Sequence, residues 1–97
     1  MKLKKHDQYV KELYEQLRHR YDYLSANVPI INSKRILGDI DIYAVKGDRI
    51  DLYEVKCSYR IHKAKHQLQK VRRFLNNPEG ENYFYCGTSK VLEQVTI

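Results

Sequence analysis

The sequence predicts a single α/β domain, in which helices flank a mixed β-sheet and the elements follow the order α-β-β-β-α-β. Three observations predict this class. Apolar residues at helical spacing open the chain, three runs rich in β-branched and aromatic residues follow, and a second amphipathic segment precedes a last apolar run. The 97 residues suffice for one core, and a hydrophobic content of 42% excludes an intrinsically disordered chain.

The first element is an amphipathic helix over roughly residues 4–24. Its apolar residues recur at the spacing of one helix face: Val10, Leu13, Tyr14, Leu17, Tyr21 and Leu24. A short strand at residues 28–31 follows, because most of these residues are β-branched. Pro29 has no amide N–H to donate, which indicates a sheet edge or the start of a strand.

Two longer strands come next, at residues 39–45 and 49–57, and both are rich in Ile, Val, Tyr and Leu. The dipeptide Gly47-Asp48 lies between them and is typical of a two-residue turn. We therefore expect the two strands to form a β-hairpin.

A second helix is predicted by five apolar residues at helical spacing: Ile61, Ala64, Leu68, Val71 and Leu75. It ends near Asn76-Asn77-Pro78, because proline cannot continue a helix. Residues 83–86 form a fourth, buried strand, and residues 91–97 form either a last short strand or an ordered coil. The third strand, the helix and the fourth strand make a β-α-β unit, whose two strands should be parallel.

The hairpin register brings acidic residues together. With a two-residue turn, Asp41 faces Glu54 directly and Asp39 faces Lys56. Like charges directly opposite each other destabilise a sheet, so that the acidic pair needs a compensating group. Two carboxylates about 5 Å apart at Cβ are hard oxygen ligands for a divalent cation such as Mg²⁺. The alternative is a solvated hairpin face with alternating charges.

Residues 38–42 read Gly-Asp-Ile-Asp-Ile, and residues 54–58 read Glu-Val-Lys-Cys-Ser. With twelve residues between Asp41 and Glu54, this pattern resembles the PD-(D/E)xK nuclease superfamily, and within it the small archaeal Holliday-junction resolvases. The resemblance covers roughly residues 9–87, and it implies a restriction-endonuclease-like fold and metal-dependent cleavage of DNA. The proline of the superfamily's name is absent, since Asp-Ile precedes Asp41.

The resemblance also implies a role for each matched residue. Asp41 and Glu54 would bind the metal through their carboxylates, and Val55 would bind it through its backbone carbonyl. Lys56 would position or activate the attacking water and stabilise charge on the phosphate. Gln67 resembles a glutamine that many members carry on the second helix, with an ordinary solvated glutamine as the alternative. The implied cofactor is Mg²⁺, for which Mn²⁺ can substitute.

The first-helix glutamate of the family has no clean equivalent in this chain. Val10 or Tyr14 occupies its expected inward position, whereas Glu12 and Glu15 point away from the apolar stripe. The candidates for an additional acid are therefore Asp39, Asp7, Glu12 and Glu15. The number of metal ions stays open.

Charge is distributed unevenly along the chain. Residues 38–58 contain five acids and three bases, whereas residues 59–78 contain six bases and no acid. The polar face of the second helix thus suits DNA phosphates, with four residues as the candidates for DNA binding: Lys63, His66, Lys70 and Arg73. A solvated basic helix is the alternative. The four histidines form no ligand pattern: His6, His19, His62 and His66.

The core motif leaves no room for a sequence-reading domain. We therefore expect recognition of DNA shape, such as a branch or a junction, by a homodimer. No apolar run approaches the ~20 residues of a membrane span, so we expect no membrane partner. We expect a cytoplasmic location, in an archaeal or bacterial cell or as the product of a virus or plasmid. Cys57 and Cys86 lie on strands that should be neighbours, so a disulfide is geometrically possible, but two buried free thiols are the expected state in a reducing cytosol.

Two other functions fit the same residues. One is a catalytically weak or inactive DNA-binding module of the same fold, which the missing first-helix acid favours. The other is a nuclease directed at RNA.

Overall fold

A five-stranded mixed sheet with two helices builds the protein, as seen in a computed structural model that describes residues 4–97. The elements, in chain order, are α1 (Lys5–Leu17), β1 (Tyr23–Asn32), β2 (Arg35–Lys46), β3 (Arg49–Lys56), α2 (Ile61–Leu75), β4 (Asn82–Cys86) and β5 (Val91–Gln94). The strands lie in the sheet in that same order, with β3 and β4 parallel and every other pair antiparallel. The predicted α/β class, mixed sheet and element order are confirmed, and the C-terminal segment adds a short edge strand.

The helices pack on two separate apolar clusters of the sheet. Three residues of α1 are buried in one cluster, together with Ile42, Tyr53 and Val55: Val10, Leu13 and Leu17. Three residues of α2 are buried in the other, together with Leu52 and Phe84: Ala64, Leu68 and Val71. Each helix thus buries the apolar stripe that its sequence predicts. Among residues 4–97, neither helix is long and apolar enough to cross a membrane.

Helix α1 is shorter than the predicted 4–24, since it ends at Leu17. Tyr21 and Leu24 continue the helical spacing, but Leu24 already belongs to β1, where it pairs with Ala44 of β2. The prediction was wrong here because backbone pairing along the full length of β2 overrides the local apolar repeat. The predicted strand at 28–31 is accordingly only the end of a ten-residue strand.

Strand β1 forms one edge of the sheet, as Pro29 predicted. The two-residue turn between β2 and β3 is confirmed, because Lys46 pairs with Arg49 across it. Gly47 has a φ of 60°, a left-handed conformation that favours glycine. The predicted register then holds pair by pair as far as Ile42 and Tyr53, where the ladder ends.

The β3-α2-β4 unit also follows the prediction. Strands β3 and β4 are parallel, from the pair Leu52–Asn82 to the pair Lys56–Cys86. Helix α2 ends at Leu75, before the proline that closes the segment. Both cysteines are free thiols, as expected. This unit places the carboxyl end of β3 next to the start of α2.

The carboxyl end of α2 is fastened to the sheet by Arg72. Its guanidinium donates hydrogen bonds to the backbone oxygens of Ile50, at 2.8 Å, and Glu81, at 3.0 Å. It also donates to the side-chain oxygen of Asn82, at 2.8 Å. One side chain therefore joins the helix to the beginnings of both parallel strands.

We expect Arg72→Lys to lower the free energy of unfolding by about 2–3 kcal/mol, because an ammonium cannot reproduce the planar fork and leaves partly buried acceptors unpaired. Urea unfolding followed by circular dichroism measures this loss. The matched control is Arg73→Lys, at the neighbouring exposed position of the same helix. Equal losses in the two variants would contradict the assigned role of Arg72.

Candidate active site

Asp41 and Glu54 lie where the two strands of the hairpin separate. The backbone ladder stops at Ile42 and Tyr53, one pair before the two acids. An oxygen of the Asp41 carboxylate instead accepts the backbone N–H of Val55, at 2.8 Å. The predicted pair of Asp41 and Glu54 therefore comes one position after the last backbone pair of the ladder. There, the Asp41 side chain accepts the hydrogen bond of the Val55 amide.

Strand β2 also changes its side-chain alternation at Asp41. Residues two apart on a regular strand face the same side of the sheet, yet Ile40 and Ile42 pack in different apolar clusters. On the neighbouring strand, Asn27 lies between the pairs that contain these isoleucines and has a φ of 55°. Asp41, which is only 8% exposed, therefore lies at the point where the strand turns from one packed face to the other.

Glu54 is buried as deeply as Asp41, at 6% exposure, and its carboxylate lies 3.2 Å from the ammonium of Lys56. Burial, with the nearby Asp41 carboxylate as the second cause, raises the pKa of Glu54 to about 8, whereas Lys56 acts in the opposite direction. Burial and the neighbouring Asp41 carboxylate thus both disfavour the ionised form of Glu54, and the nearby Lys56 ammonium offsets only part of that effect on its pKa.

The donor atoms at this point suit a hard divalent cation. Two carboxylates and the backbone oxygen of Val55 are the oxygen ligands that Mg²⁺ and Mn²⁺ prefer. The raised pKa of Glu54 shows that the buried pair carries more negative charge than its surroundings offset, and a divalent cation would offset it. Among residues 4–97, no three side chains of His, Cys, Asp or Glu are arranged to hold a metal ion as they stand. The residues that would hold it are thus Asp41, Glu54 and Val55.

His6 is the site residue that sequence reasoning missed. Its Nε2 atom lies 2.9 Å from the backbone oxygen of Val55 and 3.4 Å from a carboxylate oxygen of Asp41. One sequence signal could have found it: His6 precedes Val10 by one helical repeat, and so belongs to the buried stripe of α1. Its nearness to β3 depends on how that helix packs, which the sequence does not show.

The four acids proposed as an additional ligand form no hydrogen bond or ion pair with Asp41 or Glu54 in the described part of the chain: Asp39, Asp7, Glu12 and Glu15. Glu12 accepts a hydrogen bond from the Tyr85 hydroxyl and forms an ion pair with Lys90, each at 2.8 Å. Glu15 forms an exposed ion pair within its own helix, and Asp39 is exposed. Asp7 lies beside the imidazole of His6, with a carboxylate oxygen 3.8 Å from Nδ1. The first helix therefore brings an imidazole, rather than a carboxylate, to the acidic pair.

Lys56 connects the buried pair to a surface cavity of about 650 Å³ on the polar side of α2. The cavity is lined by Lys56, His62, Lys63, His66, Gln67 and Lys70. Three of the four predicted DNA-binding residues are thereby brought together, whereas Arg73 lines a different cavity near the end of the helix. The arrangement places a basic surface directly next to the two acids.

Two side chains of this cavity also contact the start of β2. Gln67 donates a hydrogen bond to the backbone oxygen of Asp39, at 3.4 Å, and Lys70 donates one to the backbone oxygen of Leu37, at 2.8 Å. The strand that carries Asp41 is thereby joined to α2. Gln67 therefore lines the same cavity as Lys56, and its observed contact is with the backbone of β2.

No protein-family model matches this chain, and no curated protein matches it significantly. The comparisons thus assign the chain to no family, and the resemblance to PD-(D/E)xK nucleases rests on the sequence motif alone.

We expect Glu54→Gln to stabilise the metal-free protein more at pH 9 than at pH 6. The pKa of Glu54 is raised from 4.5 to about 8 in the folded chain. The stability that its protonated form contributes is therefore complete below about pH 4.5 and is lost as the pH rises through about 8. A glutamine does not titrate and has no such loss. The difference in free energy of unfolding between the variant and the parent should therefore increase by at least about 1 kcal/mol from pH 6 to pH 9.

Urea unfolding in EDTA at both pH values measures this difference. The control is Glu15→Gln, at an exposed position of α1, which should show no pH-dependent gain. A gain for Glu54→Gln that is equal at pH 6 and pH 9 would contradict the burial of an ionisable pair.

Proposed function

We propose that this protein is a metal-dependent DNA endonuclease that hydrolyses phosphodiester bonds, with a restriction-endonuclease-like fold of the PD-(D/E)xK type. One observation carries the proposal. The buried pair Asp41 and Glu54, with the Val55 carbonyl, adjoins a basic cavity through Lys56, whose ammonium lies 3.2 Å from Glu54. A cation site and a phosphate-binding surface thus meet at one lysine.

The topology of the sheet supports this proposal. Three antiparallel strands, a helix and a strand parallel to the third follow each other in the order that the resemblance implies. The two acids lie on the second and third of these strands, Asp41 in the middle of its strand and Glu54 near the end of the other, both several residues from the hairpin turn. The backbone ladder between β2 and β3 ends before the two acids, and Lys56, two residues after Glu54, lines the cavity along α2 that would receive a substrate.

Hydrolysis of a phosphodiester forms a bond between a water oxygen and phosphorus and breaks the bond to the leaving oxygen, which takes up a proton. A divalent cation, when bound, lowers the pKa of the attacking water and neutralises charge on the phosphoryl oxygens. Asp41 and Glu54 would hold the cation through their carboxylates, and the Val55 carbonyl would supply a further oxygen donor.

Lys56 acts on the substrate side. Its side chain is 29% exposed, and it lies between the Glu54 carboxylate and the cavity along α2. We therefore assign it the stabilisation of charge on the phosphate and the positioning of water, rather than the removal of a proton.

The substrate is held by the basic face of α2. Lys63, His66 and Lys70 line the cavity with no acid among its lining residues, which suits the phosphates of a nucleic acid backbone. Contacts of this kind position a duplex without reading its sequence, so the proposed substrate is a DNA shape such as a branch or junction. A homodimer acting in the cytoplasm would cut two strands of such a substrate.

A catalytically weak DNA-binding module is the second candidate. One observation favours it: no acid of α1 contacts Asp41 or Glu54 in the described residues, so that a second metal ion would lack a carboxylate from this helix. The same basic face would then bind DNA without turnover.

We expect the protein to cleave labelled four-way junctions in Mg²⁺ or Mn²⁺ and not in EDTA. Linear duplex DNA, single-stranded DNA and RNA serve as the comparison substrates. Asp41→Asn, Glu54→Gln and Lys56→Ala should each reduce the cleavage rate by about 10²–10³-fold, because Asp41 and Glu54 would hold the cation and Lys56 would stabilise the negative charge that develops on the phosphate.

The matched control for cleavage is Glu15→Gln, which alters an exposed carboxylate away from the site. Cleavage that persists in EDTA, or in Asp41→Asn, would overturn the mechanism. Binding without product on every substrate would favour the second candidate, and products from RNA alone would reassign the substrate.

We expect Lys63→Ala to weaken DNA binding and to make it less sensitive to salt. Each phosphate contact that is lost reduces the slope of log affinity against log salt concentration by about one. Fluorescence anisotropy with a labelled junction, over a series of salt concentrations, measures both effects. The control is Lys46→Ala, an exposed lysine at the hairpin turn, and an equal slope in both variants would contradict the assigned surface.

A further inference from the structure

We infer that a cavity beside Tyr59 binds an unpaired nucleobase of the DNA substrate, so that the protein prefers branched DNA with a single-stranded segment next to the cut. The inference rests on the proposed function, because it concerns the DNA that the basic face of α2 would hold. It goes beyond the resemblance, which assigns no role to Tyr59.

This cavity adjoins the basic one at the start of α2. Its volume of about 370 Å³ falls within the range of about 300–1,000 Å³ that is usual for small-molecule sites. His62 and Lys63 line both cavities, and Lys56 lines the basic one. A strand whose phosphates lie in the basic cavity would therefore continue into the second one. Five consecutive residues line this second cavity: Tyr59, Arg60, Ile61, His62 and Lys63.

Tyr59 presents an aromatic ring that is exposed and yet held in place. The residue is 55% exposed, although its hydroxyl donates a hydrogen bond to the Glu93 carboxylate of β5, at 2.7 Å. Its ring also contacts the buried ring of Phe84 in a T-shaped arrangement, with the two centroids 5.3 Å apart. A side chain that is already fixed at two points loses little conformational entropy when a ligand stacks on it.

The chemistry of the lining residues favours a nucleobase as the ligand. Proteins bind single strands by stacking bases on aromatic rings next to positive charges that contact the phosphates. Tyr59 supplies the ring here, and Arg60 and Lys63 supply the positive charges. None of the described residues that line the cavity is acidic, and the Glu93 carboxylate lies at the hydroxyl end of the ring.

The same chemistry selects an unpaired base. A base inside a duplex is stacked on its neighbours, and extruding it costs a few kcal/mol, whereas a base in a single strand is already available. A branched substrate that carries a single-stranded segment can therefore fill both cavities without that cost. A fully paired duplex can fill only the basic one.

The test compares a duplex that carries a single-stranded thymidine tail with the same duplex with blunt ends, by fluorescence anisotropy of the full chain in EDTA. The parent should bind the tailed duplex more tightly. Tyr59→Leu should weaken binding of the tailed duplex by about 5–150-fold, the usual effect of losing one stacked base, and leave binding of the blunt duplex unchanged.

Two further variants separate stacking from a structural role. Tyr59→Phe keeps the ring and loses only the hydrogen bond to Glu93, so it should retain the preference for the tailed duplex. The matched control is Tyr23→Leu, because Tyr23 is a tyrosine of similar exposure, 57%, at the start of β1. This variant should leave both affinities unchanged.

Photocrosslinking gives a second readout that requires no variant to fold. A tail that contains 5-iodouracil should crosslink to Tyr59 of the parent chain, as identified by mass spectrometry of the peptides. Crosslinks at other residues alone, equal affinity of the parent for the two duplexes, or an unchanged preference in Tyr59→Leu would each overturn the inference. If the parent still cleaves four-way junctions in Mg²⁺ in that case, the proposed function stands; if it binds neither duplex and cleaves no substrate, both fail.

Discussion

The hydrogen bond from the Val55 amide to the Asp41 carboxylate, at 2.8 Å, is the interaction on which the site depends. It replaces the next backbone pairing of the hairpin, so that β2 and β3 separate without leaving a buried amide unpaired. Because Val55 is fixed in this way, its carbonyl faces His6 of α1, and the neighbouring side chains of Glu54 and Lys56 reach the side of α2. One contact thereby joins groups from both helices at one end of the hairpin.

The electrostatics of the pair limit what this end of the hairpin can do. Two carboxylates that are nearly withdrawn from water cannot both be charged at low cost, and a raised pKa for Glu54 is the result. A sheet could avoid this cost with an apolar residue at either position. The acids instead lie near a basic cavity, which Lys56 lines and whose positive charges favour an anionic ligand. This conflict with stability is typical of a functional site.

The sequence predicted that Asp41 and Glu54 lie close together, but it did not predict all the groups that surround them. Asp41 and Glu54 could be placed together because a two-residue turn fixes the register of the hairpin, and that register is local information. His6 could not be placed, since its contact with Val55 spans 49 positions of the chain and depends on the packing of a whole helix. The contacts of the candidate acids of α1 depend on helix packing in the same way. Glu12 contacts Tyr85 and Lys90, and not Asp41 or Glu54.

The sequence by itself determined the α/β class, the hairpin with its register, the bounds of α2 and the parallel pairing of β3 with β4. Each of these follows from short-range signals, namely the apolar repeat, the turn dipeptide and the proline after α2. Only the tertiary structure decided where α1 ends. Apolar residues continue at helical spacing beyond Leu17, but the chain there forms β1, which pairs with β2. It also decided which side chains surround Asp41, because packing of both helices on the sheet, rather than any local repeat, brings them together.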